Sequence, residues 1–129
     1  MKGPVLVIDN DESIVEFLSF VLEDAGFTVY TALDGHAGVE LALQHKPSVI
    51  ICDLMMGQMH GFEVLQQIRS RPELSRSVVI VASSKSYKPD MARARELGAN
   101  DYLVKPFRAD ELIQMIERHR GPTGGATGG

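Results

Sequence analysis

The sequence predicts an α/β fold in which a five-stranded parallel sheet is covered by helices on both faces. Short apolar runs alternate five times with segments whose apolar residues recur every three to four positions. The runs are apolar almost throughout, as strands buried on both faces require. Strand–helix–strand units cross over with a right-handed sense, which leaves few topologies, and the strand order 2-1-3-4-5 is favoured among them.

The predicted strands are the apolar runs themselves. Valine and isoleucine dominate the first, third and fourth runs, and β-branched side chains pack well on a pleated surface. The five strands are predicted at residues 5–8, 28–31, 49–52, 78–82 and 101–104.

The segments between the strands have the spacing of amphipathic helices. In the first helix six apolar residues recur at helical spacing: Ile14, Phe17, Leu18, Val21, Leu22 and Ala25. Gly26 follows them, where a helix would end. The other four helices are predicted around residues 39–43, 62–69, 91–97 and 109–119.

Length and composition indicate one domain in a reducing compartment. The chain has 129 residues and a net charge of −4, and it contains no basic run, so we expect no direct binding of nucleic acid. Cys52 is the single cysteine, which excludes an internal disulfide and favours the cytoplasm. The N-terminal apolar run is too short for a signal peptide or a membrane span. We assign residues 1–120 to the domain and residues 121–129, rich in glycine, to a flexible tail or the start of a linker.

Polar side chains follow four of the predicted strands. Residues 9–11 (Asp-Asn-Asp) come after the first strand, Asp53 after the third, Ser83 after the fourth and Lys105 after the fifth. In a doubly wound sheet ligands bind beyond the carboxyl ends of the strands, so these groups are expected to share one rim. A few carboxylates suit Mg²⁺, which keeps several waters. A metal, a hydroxyl and a lysine around one carboxylate are what phosphoryl transfer requires.

The positions of Asp9 and Asp53 indicate a bound cation, whereas the position of Asp11 leaves its role open. Asp9 and Asp53 each follow a buried strand, and like charges held together there are costly unless a cation intervenes. Asp11 is equally well explained as the residue that caps the first helix, so its role as a metal ligand stays open.

The motifs taken together resemble the response-regulator receiver domains of two-component signalling. The segments that carry the resemblance are VLVIDND, ICDLMMGQMHGFEVL, VIVASS and GANDYLVKPF, in that order, and it extends over residues 4–119. The resemblance implies a flavodoxin-like fold of the kind found in chemotaxis regulators.

The resemblance also implies roles for individual residues. Asp53 would accept the phosphoryl group, and Asp9 and the backbone carbonyl of Met55 would bind Mg²⁺ together with Asp53. Lys105 would pair with the phosphoryl or carboxylate oxygens, and Ser83 would donate to the bound phosphoryl group.

The partners and the output also follow from the resemblance. The donor would be a histidine kinase or a histidine phosphotransfer protein. Ser83 and Tyr102 would relay the change to the face built from the fourth helix, the fifth strand and the fifth helix. That face would bind a downstream partner or effector domain, or a second copy of the chain when phosphorylated.

Several positions depart from the family pattern. Asn10 replaces the second acid of the usual pair, which predicts weaker Mg²⁺ binding. Gly57 stands in place of a usual proline, His60 in place of a common aspartate, and Ser83 is the less frequent alternative to threonine.

Two other functions remain as alternatives. The triplet at residues 9–11 fits the DxD motif of haloacid-dehalogenase-like phosphatases, in which Asp9 would be the nucleophile and Asp11 the general acid. That class is disfavoured because Ser13 stands where threonine or valine is expected and no late acidic pair follows Lys105. The second alternative is a pseudo-receiver that binds partners without being phosphorylated.

Overall fold

The computed structural model describes residues 3–54 and 60–120. Its sheet has five parallel strands in the order β2-β1-β3-β4-β5, which confirms the predicted fold and topology. The strands are β1 Pro4–Ile8, β2 Thr28–Ala32, β3 Val49–Cys52, β4 Val78–Ser83 and β5 Asp101–Val104.

Five α-helices connect and follow the strands, as predicted. They are α1 Glu12–Asp24, α2 Gly35–His45, α3 Gly61–Arg69, α4 Lys88–Glu96 and α5 Ala109–Arg120. A short 3₁₀ turn at Pro72–Leu74 was not predicted. Proline is favoured at the first position of a helical turn because its missing N–H would have no partner there.

The sheet divides the core into two layers. Successive strand residues point to opposite faces, so alternate positions of β1 and β3 enter different layers. One layer packs against α2, α3 and α4, and includes Leu6, Ile8 and Ile50. The other packs against α1 and α5, and includes Val5 and Val7.

Helix α1 buries a narrower stripe than its sequence predicts. Val15, Leu18 and Leu22 are buried against the sheet, whereas Phe17 is 44% exposed and Phe20 is 71% exposed. Phe17 has helical spacing with the core residues of α1 but is not itself part of the core. Consecutive residues are separated by about 100° around a helix, so with Leu18 pointing at the sheet, Phe17 lies at the edge of the contact.

In the part of the chain that the structure describes, no helix is both long and apolar enough to cross a bilayer.

Candidate functional site

Three charged side chains meet at the carboxyl edge of the sheet. The Lys105 ammonium nitrogen Nζ lies 2.8 Å from Asp9 Oδ2 and 3.6 Å from Asp53 Oδ2. Asp9 is 3% exposed and Asp53 is 7% exposed, so both acids lie in a largely water-excluded place. The structure thus brings together three of the residues that the sequence selected.

The register of the sheet explains why the two acids are neighbours. Ile8 of β1 pairs with Cys52 of β3, and each is followed directly by an aspartate. The Asp53 N–H donates to the Ile8 carbonyl at 3.0 Å, which continues the ladder one step beyond the strands. Because the strands are parallel, Asp9 and Asp53 leave the sheet side by side.

Lys105 reaches the acids from the far side of β4. Its N–H donates to the Ser83 carbonyl at 2.8 Å, which anchors the residue where β5 ends. The ammonium donates to Asp9 Oδ2, while Asp9 Oδ1 accepts from the backbone N–H of Asp11 at 3.0 Å. Both oxygens of Asp9 are held, and its carboxylate has a defined orientation.

This donor set suits Mg²⁺. Two buried carboxylates share one ammonium, so with both acids ionised the trio of Asp9, Asp53 and Lys105 has a formal charge of −1. Mg²⁺ is a hard cation that binds one or two carboxylates and completes its shell with water. Among residues 3–54 and 60–120 there is no group of three or more His, Cys, Asp and Glu side chains arranged for a metal. Within the described ranges, Asp9 and Asp53 are side chains that could hold such an ion together with water.

The other proposed metal ligands differ in their positions. Asn10 is exposed in the turn after β1. Asp11 caps α1: its Oδ1 accepts from the Ser13 N–H at 3.0 Å and from the Ser13 hydroxyl at 2.6 Å. Hydrogen bonds from the Ser13 hydroxyl and N–H lower the pKa of Asp11 below its ordinary value. Met55 lies outside the described residues.

Ser83 and Tyr102 both contact the loop that follows β4. Ser83 is the last residue of β4, not the first residue after it, and is completely buried. Its Oγ accepts from the Lys85 N–H at 3.2 Å, and the Tyr102 hydroxyl donates to the Lys85 carbonyl at 2.8 Å. Tyr102 is 6% exposed, so its side chain lies beneath the predicted output face and not on it. Burial raises the pKa of Tyr102.

Cys52 is chemically quiet although it precedes Asp53. The thiol is buried and donates to the Asp53 carbonyl at 3.3 Å. Burial, together with the charges of Asp53 and Asp9, raises the pKa of Cys52 far above its ordinary range. The reactive thiolate is therefore suppressed, as expected for a small buried hydrophobe.

One further residue at the site, Gly61, is not among those selected from the sequence. Gly61 begins α3, and its N–H donates to the Leu54 carbonyl at 3.0 Å, directly behind Asp53. A glycine as the first residue of a helix is a signal that could have drawn attention to it, because glycine allows two backbones to approach closely.

Comparisons with known proteins agree with this geometry. A family model described as the response regulator receiver domain matches residues 5–117. Chemotaxis protein CheY4 of Vibrio cholerae is 30% identical, the match covers 92% of this chain and 98% of that one, and the TM-score is 0.87.

Two further solved structures match to a similar extent. The receiver domain of the Francisella response regulator 1452 is 30% identical, with 92% of this chain and 96% of that chain covered and a TM-score of 0.84. The BeF3-activated DrrB receiver domain is 26% identical, with coverages of 92% and 97% and a TM-score of 0.82.

Proposed function

The chain belongs to the response-regulator receiver family of two-component signalling, whose members act as signalling switches, and from this premise we propose that Asp53 is its phosphoryl acceptor. The donor is the phosphohistidine of a histidine kinase or of a histidine phosphotransfer protein. The observation that carries the proposal is the contact of one ammonium, that of Lys105, with the buried carboxylates of Asp53 and Asp9.

The residues have separate tasks in the transfer. An Asp53 carboxylate oxygen attacks phosphorus, so a P–O bond forms as the P–N bond of phosphohistidine breaks, and the electron pair of that bond returns to the imidazole. Lys105 supplies positive charge beside the acceptor. Ser83 provides a hydroxyl at the same rim. When bound, Mg²⁺ would supply positive charge next to the oxygens of the transferring group. Asp9 and Asp53 would hold that ion.

The phosphoryl group then changes which surface the domain presents. The acyl phosphate shifts a two-state equilibrium only by its differential interaction with the two states, and a change from 1:99 to 99:1 needs about 5.5 kcal/mol. Ser83 and Tyr102 both bond to Lys85 at the start of the loop that leads into α4. We therefore assign the output to the α4–β5–α5 face, where a downstream partner or a second copy would bind.

Acetyl phosphate with Mg²⁺, followed by intact-mass spectrometry, tests the acceptor. We expect one added phosphoryl group on the wild type and none on Asp53→Asn, because the mutant amide is not a nucleophile of comparable strength. Asp9→Asn should still be labelled, but slowly, since a metal ligand is lost. Labelling of Asp53→Asn together with its loss in Asp9→Asn would instead favour a phosphatase with Asp9 as nucleophile.

The geometry of Asp11 argues against that phosphatase. A general acid must hold a proton near the operating pH. The hydrogen bonds from Ser13 lower the pKa of Asp11 and commit its Oδ1 to capping α1.

A pseudo-receiver would leave the wild type unlabelled under every condition.

Beryllofluoride, which mimics the phosphoryl group, tests the output. We expect it to change the self-association or the partner affinity of the wild type but to have a smaller effect on Ser83→Ala and Tyr102→Phe. The tyrosine variant removes only the hydroxyl that donates to Lys85. Both variants should still be labelled at Asp53 by acetyl phosphate. If sedimentation shows equal responses in all three proteins, the conformational change reaches the surface through residues other than Ser83 and Tyr102.

A cytoplasmic location is part of the proposal. It is supported by Cys52, a single free and buried thiol, since disulfide-forming compartments favour paired cysteines.

A further inference from the structure

Gly61 lies against the backbone of the acceptor residue. A Cβ added to Gly61 would be 2.4 Å from the Asp53 carbonyl oxygen and 2.4 Å from the Leu54 Cα. Carbon atoms in van der Waals contact are about 3.5–4.0 Å apart, so no side chain fits at this position without displacement of the backbone.

Both sides of this contact, the Asp53–Leu54 backbone and helix α3, are held in place. On one side the Asp53 N–H is bonded to the Ile8 carbonyl, and Leu54 is fully buried. On the other side the Gly61 N–H is bonded to the Leu54 carbonyl. Helix α3 is held to the core through three buried side chains: Val64, Leu65 and Ile68.

The other crowded glycines of the described chain face side chains. A Cβ on Gly38 would meet the Ile8 side chain, with Cδ1 at 2.6 Å. A Cβ on Gly98 would meet the Arg69 side chain, with Cγ at 2.6 Å. Both of those neighbours are side-chain atoms, whereas Gly61 faces backbone atoms of Asp53 and Leu54, which can move only with those residues.

We propose that Gly61 is a positioning residue for Asp53: its lack of a side chain lets α3 seat directly on the acceptor's backbone, and this seating sets where the Asp53 carboxylate points. The proposal rests on the proposed function of Asp53. A carboxylate that must meet Lys105, a metal and an in-line phosphorus atom tolerates little displacement, since a misplacement of about 1 Å can cost about 100-fold in rate.

Gly61→Ala tests the proposal, with Gly38→Ala as the matched control. Both substitutions add one methyl group to a crowded glycine in a helix that packs on the sheet. We expect Gly61→Ala to weaken Mg²⁺ binding and to slow labelling by acetyl phosphate at saturating Mg²⁺, each by about tenfold or more. Gly38→Ala should stay within about twofold of the wild type in both, whatever it does to stability.

NMR titration of the Asp53 and Leu54 amides with Mg²⁺ gives the affinity without relying on phosphorylation. If the wild type binds Mg²⁺ but is never labelled, the proposed function is wrong. The Mg²⁺ titration still tests the role of Gly61 in that case. Mg²⁺ affinity of Gly61→Ala within about twofold of the wild type would overturn the positioning role.

Stability is measured separately by urea unfolding. If Gly61→Ala is unfolded in buffer, all three proteins are compared in trimethylamine N-oxide, which strengthens burial. If Gly61→Ala remains unfolded under these conditions while Gly38→Ala folds, Gly61 is required for folding as a whole. That result would overturn its assignment as a positioning residue for Asp53.

Discussion

Two clusters of charged residues lie at opposite ends of β5 and differ in the sign of their excess charge. Beyond the end of the strand, Lys105 faces the carboxylates of Asp9 and Asp53. At its start, Asp101 faces Arg118 Nη2 at 3.0 Å and His119 Nε2 at 2.9 Å, with Arg95 Nη2 at 3.8 Å. One cluster has more acids than bases, and the other has more bases than acids.

The Asp101 cluster opens to solvent through its arginines, and its half-buried carboxylate is well satisfied. Burial raises the pKa of Asp101, but hydrogen bonds from His119, the Tyr102 N–H and Arg118 outweigh it, and the net pKa is lowered. Arg95 and Arg118 are largely exposed to solvent. Exposed ion pairs are screened by water and salt and contribute about 0–1 kcal/mol each.

The cluster of Asp9, Asp53 and Lys105 is buried and short of positive charge. Charges in such a place must be compensated, and one ammonium serves two carboxylates. The number of ion pairs in a cluster therefore says little about its function. Burial combined with an unbalanced charge marks the site that can receive a cation.

The largest expected contrast comes from removing one basic residue from each cluster. Without Mg²⁺, Lys105→Gln should lower the free energy of unfolding by about 3 kcal/mol, the low end for breaking a buried pair. Arg118→Gln should cost about 1 kcal/mol or less, as an exposed pair does. Urea unfolding of both variants measures this.

Unfolding of the same two variants is also measured with Mg²⁺ present. Added Mg²⁺ should restore much of the stability of Lys105→Gln, because the ion replaces the lost positive charge, and should leave Arg118→Gln unchanged. If the two variants lose equal stability and respond equally to Mg²⁺, the proposed difference between the clusters does not exist.

An intermediate effect is expected when the acidic excess is increased. Asn10→Asp should tighten Mg²⁺ binding by about tenfold, since it adds a carboxylate to a hard-cation site. The metal-free protein should become less stable because three carboxylates then repel one another. Gln114→Glu, which adds the same charge on the exposed side of α5, serves as control. Unchanged Mg²⁺ affinity in Asn10→Asp would indicate that Asp11 already supplies the second charge.

The smallest effect is expected from Asp101→Asn. Because the folded-state pKa of Asp101 is lowered, its contribution is present above the unfolded value of about 3.9 and is lost as the pH falls through the folded value. We expect a stability difference from the wild type of about 1 kcal/mol or less at pH 7. The difference should shrink at high salt and in acid. Thermal unfolding at several pH values tests this, and a gap that widens in acid would contradict the assignment.

The fold and the meeting of the charged residues were predictable because both depend on local pattern. Apolar runs and helical spacing specified five strands and five helices, and handedness limited their order. Once the strands are parallel, residues that directly follow them must share an edge. The proximity of Asp9, Asp53 and Lys105 was predictable for this reason. Their functional roles remain predictions.

Other features were decided only by the tertiary structure, because they depend on distances between elements that are remote in sequence. Phe17 has the spacing of a core residue, yet the width of the contact between α1 and the sheet leaves it exposed. Tyr102 is buried, and its hydroxyl donates to the carbonyl of Lys85, which lies 17 residues away in the sequence. The crowding at Gly61 becomes visible only when the approach of α3 to the Asp53 carbonyl is known. Sequence periodicity specifies which way a residue points along its own element, whereas the space in front of it is set by the packing of its neighbours.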